Sequence, residues 1–165
     1  MSSPNPRSPV PAGVSAVLAA VLTAIGFFAL AIFGLGALSV ITDSDVISVP
    51  GAGQAPGIVA MILAIAVFAG LLWLAVRGAH PRFRSVWTIA IVTALVHLLG
   101  AGIAALVVVG EVVTALAVMG ELVTDGASIV VLVAAAIAAW AGVALRRTRR
   151  SRPQWPWERE DPDAQ

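Results

Sequence analysis

Cysteine is absent from this 165-residue chain, and so is lysine. Without cysteine there are no disulfide staples, no thiol redox chemistry and no cysteine-ligated metal. Charge is scarce as well: 12% of residues are charged, where soluble domains carry about 25%. The signatures of several common chemistries are missing too. There is no HExxH of a zinc protease, no GxSxG of a serine hydrolase and no glycine-rich phosphate loop ending in GKS or GKT. Nothing brings a nucleophile and a base together, so the chain is not expected to be an enzyme, and no cofactor is implied.

Apolar side chains fill the space. They make up 59% of the sequence, against about 45–50% in a soluble domain. They are gathered into four runs, at 14–41, 57–76, 86–110 and 127–145. About 20 residues at 1.5 Å per residue cross the ~30 Å hydrocarbon layer, so each run predicts a transmembrane helix. The expected fold is all-α, a polytopic bundle of four transmembrane helices over 14–145. It is flanked by an N-terminal arm (1–13) and a polar tail (146–165), both too rich in proline and polar residues to order themselves. The first run is far longer than the apolar core of a signal peptide, and it predicts a retained span.

The few charges are segregated. Arg77, Arg82 and Arg84 lie between the second and third runs, and Arg146, Arg147, Arg149, Arg150 and Arg152 follow the fourth. The other two connections hold only acids: Asp43, Asp45, Glu111, Glu121 and Asp125. Basic residues near span ends are retained on the cytoplasmic side, so a multi-pass cell-membrane protein with both termini cytoplasmic is expected. The same eight arginines predict contact with anionic lipid headgroups, at ~1 kcal/mol each. Trp73, Trp87 and Trp140 fall toward this basic edge, where an indole rests in the headgroup zone with its N–H wet; they read as interface anchors. Trp155 and Trp157, in the tail, read either as interfacial or as a short partner motif.

Small residues recur every fourth position in two spans: Ala16, Ala20 and Ala24 in the first, with Ser15, Ala19 and Thr23 beside them, and Ala134, Ala138 and Gly142 in the last. Such rows let helix backbones approach closely and predict contact, either within the bundle, with a membrane-protein partner or with another copy. Nothing points to nucleic acid. Thr42 or Asp43 is placed to satisfy the end of the first helix, and Pro56-Gly57 marks the start of the second. The stretch 111–125 gathers Glu111, Thr114, Glu121, Thr124 and Asp125 on one side of a helical wheel. It reads either as an amphipathic helix on the outer surface or as a continuation of the third span.

His97 is the one ionisable residue well inside a run, ~20 Å along a helix from Arg84. Such a residue is a candidate for proton or ligand chemistry. The plainer reading is a neutral imidazole that donates to a carbonyl or to Thr93, one turn earlier. His80, in the basic loop, reads as solvated.

The chain resembles small multidrug transporters in having four spans, but those carry a membrane-embedded glutamate in the first span, and here that span is uncharged. Quinone-linked thiol oxidases also have four spans and require cysteines. Length, Ala/Val-rich spans, an arginine-rich end and a Pro/Trp/acidic tail together resemble the small four-span membrane proteins of unknown function of high-GC bacteria. That resemblance implies a class and transfers no site. The expected role is a non-enzymatic accessory or scaffold subunit, with a small oligomeric transporter or channel using His97 as the alternative.

Overall fold

The computed structural model describes residues 15–43, 47, 53–77 and 83–148, except for the side chains of Arg147 and Thr148. Among these residues are five helices and no strand: α1 (Ala16–Thr42), α2 (Ala55–Val76), α3 (Arg84–Val109), α4 (Val112–Thr124) and α5 (Ala127–Thr148). Four of them, all but α4, are long and apolar enough to cross a bilayer. Their outward faces are apolar as well; Phe33, for example, is 77% exposed. In water such a surface would be an aggregation liability, whereas in lipid it is the ordinary exterior. The protein is a multi-pass membrane bundle.

Local chemistry sets the helix ends. Ser15 caps α1, its hydroxyl accepting from Leu18 N–H at 3.1 Å, so the helix begins two residues after the apolar run does. At the far end Thr42 Oγ1 donates to Leu38 O at 2.9 Å. Asp43 adopts a left-handed conformation (φ 50°) and its N–H reaches Ser39 O. Both residues proposed to satisfy this end therefore do so. Pro56 sits in the first turn of α2, where its missing N–H costs nothing. The third helix starts at Arg84 and the last continues to Thr148, so Arg84, Arg146 and Arg147 belong to helices.

The long helices run alternately up and down. α2 packs along α3, and α5 packs against both α1 and α3. Gly34 meets Val130 and Gly142 meets Thr23, which fixes α1 and α5 as antiparallel. The core is built from Phe27 and Ala31 of α1, Ala64, Phe68 and Leu72 of α2, Ile89 and Ala90 of α3, and Val131, Ala135, Ala139 and Val143 of α5. Lipid supplies no hydrophobic drive for this association, so close van der Waals packing has to hold it together. The row Ala134–Ala138–Gly142 is buried as its spacing predicts. On α1 Ala20 is buried together with Ala19 and Thr23 beside it, the stripe continues through Phe27 and Ala31, and Ala24 lies at its margin.

The stretch 111–125 is a helix of its own. Gly110 ends α3 in a left-handed conformation (φ 80°), open to glycine and costly to a side chain, so α3 cannot continue. Gly126 (φ 89°) turns the chain again before α5. Between the two turns α4 folds back on α3: a Cβ on Gly102 would lie 2.5 Å from Met119 Sδ. Ala115, Val118 and Leu122 form the buried stripe, joining Ala101 and Ala105 in a second apolar cluster. The reading as an extension of the third span is thereby overturned. The opposite side of α4 exposes Val113, Leu116 and Val123, so the polar residues form a border between two apolar faces.

Candidate functional site

Two places in the bundle concentrate chemistry. The first is the end where the arginines lie. α2 ends at Val76, leaving its last carbonyls without helical partners. Arg146, from α5, donates from Nε to Val76 O at 3.2 Å and ties the two helix ends together. Arg77, next along α2, turns back so that its guanidinium carbon lies 5.1 Å from the centre of the Trp73 ring. This is a cation–π contact between residues one helical turn apart. Trp87 and Trp140 stand exposed within two turns of Arg84 and Arg146. Arg82, Arg149, Arg150 and Arg152, the side chain of Arg147, His80, Trp155 and Trp157 lie outside the described residues.

The second place is the middle of α3. His97 is 3% exposed and Thr93 0%, both on the stripe that faces the bundle. The hydrogen bond expected between them is not formed: His97 Nδ1 and Thr93 Oγ1 are both buried without a partner. Thr23, by contrast, is satisfied within its own helix, its hydroxyl donating to Ala19 O at 2.6 Å. Among the described residues no three His, Asp or Glu side chains converge, so His97 has no companions for a metal site.

Among the described residues, two of the hollows open to the side of the bundle. One, of about 480 Å³, lies between α1 and α2 at the arginine end, with Trp73 in its wall. The other, of about 530 Å³, is a shelf on the half of α1 away from the arginines, with Gly36 and Ala37 between Phe33 and Val40. Both are walled almost wholly by apolar side chains. Neither was anticipated from the sequence. The Trp73–Arg77 spacing was the available signal for the first, since residues four apart share a helix face.

A family model described as a family of unknown function (DUF6121) matches residues 13–165. The chain belongs to that family. The match takes in the whole bundle and the arginine-rich segment after it. No curated protein and no solved structure matches.

Proposed function

We propose that this protein is a non-enzymatic accessory or scaffold subunit of the cell membrane, seated with its arginine end in the cytoplasmic leaflet. The observation that carries the reading is where the hollows lie. A site for a small-molecule reaction is usually an enclosed pocket with a few convergent polar groups. Here both hollows are lateral and apolar, and they face lipid or another membrane helix. The shelf at Gly36 and Ala37 has the small-residue floor that allows a neighbouring backbone to approach closely. Photocrosslinking from position 33 in native membranes is expected to trap a discrete heterologous membrane protein; labelling of lipid alone counts against the subunit role.

Orientation has its own test, made clean by the absence of native cysteine. With Asp43→Cys, an impermeant maleimide added to intact cells is expected to label the protein. With Ser85→Cys, labelling is expected only after the membrane is opened. The reverse pattern overturns the cytoplasmic assignment of the arginines.

One observation favours a second reading, a small oligomeric transporter or channel. His97 and Thr93 bring unpartnered polar atoms to mid-bundle, where polar groups are costly and tend to mark functional paths. Flux of protons or small ions in reconstituted vesicles, abolished by His97→Ala, would establish it. Equal leak in wild type, His97→Ala and empty vesicles removes it.

A further inference from the structure

We propose that the groove between α1 and α2 is a binding site for one anionic phospholipid from the leaflet at the arginine end. The inference rests on the reading that this end meets anionic lipid, and it adds a discrete site, a named pair of recognition residues and a stoichiometry.

The shape of the groove selects its occupant. On α1 it runs from Val17 to Phe28, which is about 16 Å at 1.5 Å per residue. That is half of the ~30 Å hydrocarbon layer, the depth of a single leaflet. A transmembrane helix, whether from a partner or from a second copy, needs a seam along the whole height of the bundle; an acyl chain needs one leaflet. The floor is lowered by Ala20, Ala24 and Ala69. The wall is apolar almost throughout and lacks the groups a polar solute requires.

Charge at the mouth completes the match. Trp73 forms the last part of the α2 wall, and Arg77 lies over its ring at 5.1 Å. A cation is thus held where the groove opens to the headgroup zone, at the end of the acyl channel. The guanidinium offers a planar fork of donors suited to phosphate oxygens. Arg146, anchored on Val76 O beside Arg77, sets a second guanidinium at the same helix ends. An apolar slot one leaflet deep, with an arginine over the tryptophan at its mouth, is complementary to a lipid with an acyl tail and a negative headgroup.

The test is native mass spectrometry of the full chain released from vesicles of equal phosphatidylglycerol and phosphatidylcholine. Wild type is expected to retain one phosphatidylglycerol. Arg77→Gln is expected to lower that occupancy about fivefold, the factor one basic residue contributes at an anionic surface. Ala69→Phe, which fills the slot, is expected to abolish retention of either lipid. Ala24→Leu serves as a second slot-filling variant, and each variant is checked for unchanged helicity and oligomeric state. Arg84→Gln is the control outside the groove and is expected to leave the single bound lipid in place. If Arg77→Gln and Arg84→Gln lose phosphatidylglycerol equally and the slot-filling variants retain it, the discrete site is wrong and the general anionic contact stands. Retention of the two lipids in equal amounts by wild type overturns both. A dimer covering the groove also overturns the lipid site.

Discussion

Helix α1 meets its two neighbours in opposite ways. Along α5 the seam is closed. Gly34 and Gly142 are filled from across this seam, by Val130 at one and by Thr23 at the other; a Cβ on Gly142 would lie 3.2 Å from Thr23 Cγ2, with Leu72 of α2 closing on it from the other side. Along α2 the helices meet through a stacked aromatic pair, Phe27 and Phe68, with ring centres 4.7 Å apart. Rings of that size hold backbones apart, and beside them the seam stays open as the groove. A row of small residues therefore closes a seam only when the facing helix supplies a side chain to fill it. Where the contact is made by a bulky spacer, the same row becomes the floor of a slot.

The contrast can be broken first at the spacer. Phe68→Ala removes a fully buried ring and is expected to cost about 3–5 kcal/mol. The loss would appear as a lowered unfolding midpoint in detergent. A loss under about 1 kcal/mol would mean that α1 and α2 do not depend on the stack. The next effect compares the two seams directly. Gly142→Leu drives a side chain into Thr23 of α1 as well as Leu72 of α2 and is expected to cost about 1–3 kcal/mol by overpacking. Ala24→Leu, which points a similar side chain into the groove, is expected to stay within about 0.5 kcal/mol. Equal losses at the two positions would show that the seams are packed alike.

The smallest expected change lies in the interior that the closed seams protect. His97→Leu removes a buried nitrogen that has no partner and keeps most of the volume, so stability is expected to stay within about 0.5 kcal/mol or to rise. A loss above about 2 kcal/mol in the same melt would show that Nδ1 is satisfied, for instance by a buried water.

The four spans were legible because a bilayer imposes length and apolarity on a helix more strictly than any soluble core does. The apolar runs and the helices agree to within a few residues, and the differences are local: Ser15 caps α1 late, and α5 continues through Arg146. The fate of 111–125 was harder to read. Its polar stripe was visible, but choosing between extension and return required knowing that Gly110 takes a left-handed conformation, and glycine permits that without dictating it. On α1 the small-residue face was legible, since Ala19, Ala20 and Thr23 are all buried, but the adjacent rows differ by only 100° around the helix and spacing alone did not say that Ala24 would fall at the margin. At the arginine end the residue types were readable and their partners were not. Arg146 finds Val76 O across 70 positions of sequence, a relation no local spacing encodes.

The return of α4 has a mechanical corollary. Gly34 and Val130 stand level; above that level α1 continues to Thr42, while α5 reaches only back to Ala127. At 1.5 Å per residue, α1 rises about 7 Å higher than α5. The rim away from the arginines is therefore stepped, and α4 leans into the step with Val113, Leu116 and Val123 turned outward. A bilayer in contact with this rim meets two hydrophobic heights on one molecule. It must thicken beside α1 or thin beside α5, at fractions of a kcal/mol per Å of mismatch. A stepped rim of this kind would tie the energy of the bundle to the thickness of the bilayer around it.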